Sequence, residues 1–260
     1  MSEQRLKGEL ALVTGSDSGI GQATAIAFAR EGADVVITYF HDRQGAERTA
    51  REVEAAGRKA AVYQLDVRES SRVAQLFRDV KGAQGVPTIL VNDAGIDAAG
   101  KMVKDMSDAD WDDAIRTNLY GPFYCCREFI RAIEGSGRHG CIINITSVHQ
   151  EIPRAGASGY DSAKGGLRNL TTTLALELAE KNINVNNIAP GMVLTPMNQS
   201  AVDDPEVLKK QVQSIPMKRA ARPEEIAHAA VFLASAQASY IHGTTLVVDG
   251  ALMLFQGQGA

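Results

Sequence analysis

The sequence predicts an α/β fold, a doubly wound Rossmann fold with a central parallel sheet of about seven strands and helices on both faces. Three observations predict it. Short β-branched runs alternate with longer stretches of helical period from one end of the chain to the other. The runs are mostly continuous in apolar residues, as expected of strands covered on both faces. A glycine-rich turn, "ALVTGSDSGIG", joins the first strand to the first helix. At 260 residues the chain suits one domain, spanning 1–260.

The elements follow in order. "ELALVTG" reads as the first strand and is followed by a helix from Ile20 to Arg30. "ADVVITY" is the second strand, with a charged helix through 43–56 behind it. "AAVYQLD" and "TILVNDAG" are strands separated by a further helix, and a long helix is expected over about 107–134. "CIINITS", "INVNNIAPG" and "TTLVVDG" complete the sheet, and a helix starts in "SGYDSAKGG". Glycines in "AREGAD" and "EAAGRK" are suited to stop helices. The stretch 192–216, "MVLTPMNQSAVDDPEVLKKQVQSIP", interrupts the alternation and offers little core, so it is expected to be a substrate lid.

Composition narrows the function. The net charge is -4 with both signs interspersed, which argues against nucleic acid or an anionic membrane as partner. No apolar run reaches membrane-spanning length, and "MSEQRLKGEL" lacks the hydrophobic region of a signal peptide. Cys125, Cys126 and Cys141 show no metal spacing. A reduced cytoplasmic protein without a metal is the expectation.

Glycines at 15, 19 and 21 let the backbone turn and approach a pyrophosphate, which the N–H groups and partial positive charge of a helix N-terminus favour. Asp17 and Ser18 lie in the same loop, where Asp17 is expected to cap the helix. The second strand ends at Tyr39, Phe40 and His41, followed by Asp42 and Arg43. The absence of an acid at its tip tilts the cofactor toward NADP, or use of both NADP and NAD, and the choice stays open. Asp66, Asn92 and Ser147 close three strands, and ligands bind at the carboxyl ends of strands in open parallel sheets. Tyr160 and Lys164 are one helical turn apart and share a face with Leu167, Leu170, Leu174 and Leu178. A lysine heading an apolar stripe is costly unless its charge has a use. Pro122 lies inside the long helix and has no N–H for the carbonyl of Asn118, so the expectation is either a plain kink there with Asn118 polar at a bend, or a freed carbonyl that seats a water within reach of Lys164.

Taken together, "TGSDSGIG", "NDAG", Asn118, Ser147, "YDSAK" and "PG" at 190–191 resemble the classical short-chain dehydrogenase/reductase family over Gly8 to about Leu254. The resemblance implies a catalytic set of Asn118, Ser147, Tyr160 and Lys164. Tyr160 is then the general acid/base. Lys164 binds the nicotinamide ribose and lowers the tyrosine pKa, Ser147 orients the substrate oxygen, and the Asn118 carbonyl holds a relay water. It also implies a cofactor path. Gly15, Gly19, Ile20 and Gly21 meet phosphates and ribose, Asp66 and Val67 the adenine, and Asn92, Ala94 and Gly95 the adenosine ribose region. Pro190, Gly191, Val193 and Thr195 line the nicotinamide half. Asp93 departs from the family pattern, which has a second asparagine there, at a position that often braces the central strands.

"SVHQEIP", "IPMKRAARPEEIA" and "ASAQASYIHGTTLVVDGALML" further resemble bacterial glucose 1-dehydrogenases of this family. That resemblance implies a sugar substrate such as D-glucose, a homotetramer, and sugar hydroxyls gripped by Asp97, His149 and Glu151. His149 is also compatible with supporting its loop, and Glu151 with facing water. Reduction of a ketone or 3-oxoacyl thioester is the alternative. A non-catalytic cofactor sensor is a remote one, since such relatives are expected to lose the tyrosine or lysine. The apolar "ALMLFQ" near the C-terminus is expected to pack on a second copy.

Overall fold

The computed structural model describes residues 4–255. Seven strands form one wholly parallel sheet in the order β3-β2-β1-β4-β5-β6-β7. They are β1 (Leu10–Val13), β2 (Asp34–Tyr39), β3 (Ala60–Gln64), β4 (Ile89–Asn92), β5 (Gly140–Ile145), β6 (Ile183–Pro190) and β7 (Thr245–Val248). The order reverses direction between β1 and β4, the topological switch point at which such sheets open a crevice.

Helices α1 (Gly19–Arg30), α2 (Arg43–Ala55) and α9 (Pro223–Ala234) cover one face. Their Phe28, Val53 and Ile226 pack on Val13, Val35, Ile37 and Ile143 of the sheet. Helices α3 (Ser70–Ala83), α5 (Gly121–Ile133) and α6 (Ser158–Leu178) cover the other. There Phe77, Phe129 and Leu178 meet Leu12, Leu90 and Ile142. Alternate residues of the inner strands thus enter opposite cores, which is why the strands read as unbroken apolar runs.

The long helix expected over 107–134 is α4 (Asp108–Ile115), a π-helical turn (Arg116–Tyr120) and α5, with no break between them. Pro122 therefore does not kink the helix open. The extra residue of a wider turn absorbs the missing donor, and the Gly121 N–H reaches back to the carbonyl of Arg116. The segment 192–216 carries two short helices, α7 (Gln199–Asp203) and α8 (Pro205–Gln211), at the carboxyl edge of the sheet. Of "ALMLFQ", Gln256 lies outside the described residues, and Leu254 is largely exposed.

Candidate active site

The glycine turn is built for close approach. Gly15 has φ +64°, and a Cβ there would stand 2.9 Å from the Cα of Ala94. Gly19 has φ +56° and faces Thr195 across the groove. A Cβ on Gly21 would meet the Gly15 carbonyl at 2.5 Å and Asp93 Oδ2 at 2.7 Å. The loop thus lies flat against the end of β4, with the first N–H groups of α1 unpaired within the helix. This cradle fits a dinucleotide pyrophosphate.

A groove of about 780 Å³ runs along the cradle. Gly15, Asp17, Ser18, Gly19 and Ile20 form its floor, Tyr39, Phe40 and His41 one end, and Asp66, Val67, Ala94 and Gly95 its wall. Arg68, which no motif marks, also lines that end. Its guanidinium lies 5.2 Å from the centre of the Phe40 ring. Asp66 holds it at 2.7 Å and Asp113 at 3.1 Å. The arginine in turn keeps the Asp66 carboxyl below the usual carboxylate range.

Two expectations at this groove differ from the placement. Asp17 does not cap α1, since the N-cap is Ser18 and no side chain bonds the first turn from that position. Its carboxyl is half-buried in the groove, and burial pushes its pKa up. Asn92 lies beneath the groove, almost fully buried. Its amide donates to Asn144 Oδ1 at 2.8 Å, the Asn144 amide donates to Thr171 at 2.8 Å, and the Thr171 hydroxyl donates to Asn187 at 2.6 Å. Bracing of the central strands thus falls to Asn92, and Asp93 is free for another task.

A second cavity of about 410 Å³ adjoins the groove and shares Ile20, Asp93, Gly95, Asp97 and Thr195 with it. Ser147, His149, Tyr160, Lys164, Pro190, Gly191 and Val193 line it. The Ser147 hydroxyl accepts from the His149 N–H at 3.1 Å. The Lys164 ammonium donates to the Ile145 carbonyl at 2.8 Å and sits 5.5 Å from the centre of the Tyr160 ring. Gly159, next to Tyr160, packs on Ala114, where a Cβ would stand at 2.9 Å, so α6 sits close to α4.

Asn118 is buried, and its side chain is fully engaged. Oδ1 accepts from the Ile96 N–H at 3.1 Å, and the amide donates to the carbonyls of Ile96 and Ala114, both at 3.1 Å. This pins the loop after β4 to the π-helical turn, and leaves the main-chain carbonyl as the group Asn118 can offer to others.

The electrostatics differ from the expectation that Lys164 lowers the phenol. Burial pushes Tyr160 up to about 12, with the hydrogen bond to Ser147 opposing. Burial also pushes Lys164 down to about 8, with Asp93 opposing. Desolvation outweighs the attraction of neighbours in both cases.

Of the groups expected to meet a sugar, Asp97 and His149 line the cavity and Glu151 does not. Glu151 faces Arg168 at 3.6 Å, at the surface. Asp97 is bonded to Arg154 at 2.7 Å, and the Arg154 guanidinium lies 5.8 Å from the centre of the Tyr160 ring. Arg154, in an irregular turn before α6, carries no motif that would have marked it. His149 Nδ1 lies 2.9 Å from the Ile152 carbonyl, so it carries the proton and leaves Nε2 as acceptor in the neutral ring.

A family model described as enoyl-(acyl carrier protein) reductase matches residues 15–252. The chain is 43% identical over 252 residues to 3β-hydroxysteroid dehydrogenase 1 of Eggerthella lenta, covering 97% of this chain and 96% of the relative. It is 38% identical over 253 residues to glucose 1-dehydrogenase 2 of Bacillus subtilis, covering 97% and 98%. The crystal structure of a gluconate 5-dehydrogenase from Burkholderia cenocepacia J2315, in complex with NADP and tartrate, matches with a TM-score of 0.89. It is 34% identical and covers 97% of this chain and 98% of that one. With this strand order, this glycine cradle and these relatives along nearly its whole length, the chain belongs to the classical short-chain dehydrogenase/reductase family and is a nicotinamide-dependent oxidoreductase acting on CH–OH groups.

Proposed function

We propose that this enzyme oxidises a sugar such as D-glucose, with Tyr160 as general acid/base and NADP or NAD as hydride acceptor. The observation that carries this reading is the junction of the two compartments. The glycine cradle opens onto one side of Gly95 and Thr195, and Tyr160, Ser147 and Lys164 onto the other. The cofactor supplies the hydride acceptor or donor when bound. Tyr160 Oη takes the proton of the substrate hydroxyl, and the Ser147 hydroxyl donates to that oxygen and orients it. Lys164, anchored on Ile145, would hold the nicotinamide ribose, and its ammonium would release a proton to a water on the Asn118 carbonyl as it takes up the one leaving Tyr160. Asp97, Arg154 and His149 Nε2 offer both acceptors and donors to sugar hydroxyls.

The apolar part of the same cavity, Met192, Val193, Met197 and Leu252, favours a second reading. A longer apolar alcohol or carbonyl, including a 3-oxoacyl thioester, would lie against it, and the resemblance to a hydroxysteroid dehydrogenase supports that. In both readings 192–216 acts as the lid, NADP is favoured slightly over NAD, and four copies assemble. Reduction of NADP and NAD by D-glucose at alkaline pH supports the sugar reading. Turnover confined to ketones, thioesters or steroid alcohols replaces it with the second, and no turnover with any of these overturns both.

A further inference from the structure

Asp93, at the end of β4, faces both compartments, as does Asp97 on the following loop. The Thr14 hydroxyl accepts from the N–H groups of Asp93 at 3.0 Å and Ala94 at 3.1 Å, which fixes this stretch of main chain. The Asp93 carboxyl turns under the glycine loop, where its Oδ2 would stand 2.7 Å from a Cβ placed on Gly21. Gly21 is in the first turn of α1, and only a residue without a Cβ lets the carboxyl so close. The carboxyl therefore lies against the helix end that receives the pyrophosphate, among its unpaired donors.

We propose that Asp93 makes cofactor binding proton-linked: the carboxyl takes up a proton from solvent when the dianionic pyrophosphate settles on the N-terminus of α1. The inference rests on the groove being the dinucleotide site.

The charges around Asp93 favour this. The groups acting on it are Lys164 from α6 and Asp17 from the glycine loop, one of each sign. Thr14 of the β1 turn, Gly21 of α1 and Asn118 of the π-helical turn, which face the same stretch, carry no charge. The loop "GSDSGIG" has no basic side chain to offset a phosphate. Burial already raises Asp93 to about 7. Adding two negative charges beside it raises it further, so an ionised Asp93 must be neutralised on binding. An asparagine, the usual residue of the family at this position, would need no such step. Below about pH 7 the carboxyl is already protonated, and binding is expected to be insensitive to pH. Above it, each pH unit is expected to weaken binding by up to about tenfold, the slope of one linked proton.

The test measures NADH binding to the wild-type enzyme, Asp93→Asn and Asp17→Asn between pH 6 and 9, by fluorescence of the dihydronicotinamide. NADH is preferred because it lacks the 2′-phosphate, which itself titrates near neutrality. NADPH is run in parallel. Calorimetry at pH 8 in phosphate and in Tris counts protons from the difference in buffer ionisation heat. Uptake approaching one proton in wild type and in Asp17→Asn, with none and a flat profile in Asp93→Asn, is the expected result. No uptake in wild type overturns the proposal without need of any variant, and so does uptake that survives in Asp93→Asn or vanishes only in Asp17→Asn. Failure of both cofactors to bind at every pH overturns the cofactor reading and the proposal with it. Binding with no proton uptake overturns the proposal alone.

Discussion

Tyr160 and Asp93 carry the sharpest expectations because burial dominates both. A phenol held near 12 is a poor base at neutrality, so turnover requires the cation in the site to draw it down. Tyr160→Phe keeps the buried ring and removes only the hydroxyl. It should fold normally, still bind NADH, and lose roughly 10²–10⁴-fold in kcat. Full activity in a folded variant would end the assignment. Asp93 has a stability consequence of its own. The folded state holds its proton up to about pH 7, whereas the unfolded chain releases it near 4. The unfolded state thus binds fewer protons between those values, and stability falls as pH rises through that window. Asp93→Asn removes the loss. Its melting temperature should exceed that of wild type at pH 8, by a stability difference of at most about 4 kcal/mol, and converge with it near pH 4. Thermal denaturation across pH checks both the sign and the window.

At the scale of the element, the buried polar chain from Asn92 through Asn144 and Thr171 to Asn187 ties β4, β5, α6 and β6 together. Thr171 both accepts and donates in it, and valine has the same shape but neither function. Thr171→Val should cost about 1–3 kcal/mol in chemical denaturation, because two buried amides lose a partner each. A smaller cost would mean the strands are held by packing alone. Gly21 sets a second limit. An alanine there meets the Gly15 carbonyl and Asp93, so Gly21→Ala should weaken NADH binding at least tenfold, read by the same fluorescence titration. These elements also show what could be read beforehand. The strand–helix alternation, the cradle and the Tyr160–Lys164 face were legible because each follows from a local period or a glycine at a forced φ. The Asn92 network, Arg154 over Tyr160 and Arg68 over Phe40 were not, because they join residues far apart in sequence with no spacing to announce them. The π-helical turn escaped too: Pro122 predicts a lost donor, but only the packing decides whether the helix opens or widens.

For the whole molecule, the question is what covers its remaining apolar surface. Trp111, Tyr120 and Phe123 are all 40–44% exposed on the continuous helix from α4 to α5, and Leu176 is 85% exposed on α6. Large exposed side chains on such helix faces are the usual sign of a self-association surface. The enzyme should therefore elute at about four times the 27.8 kDa chain mass in size-exclusion chromatography with light scattering. Leu176→Asp introduces a charge on that face without touching either compartment, and should shift the particle to a smaller assembly while leaving NADH binding in place. The helices involved also carry Asn118, Tyr160 and Lys164, so their pairing would hold the site in register from outside. A smaller assembly should accordingly melt at lower temperature and lose kcat before it loses cofactor affinity. A monomeric wild-type enzyme with unchanged turnover on dilution would separate the exposed face from any such role.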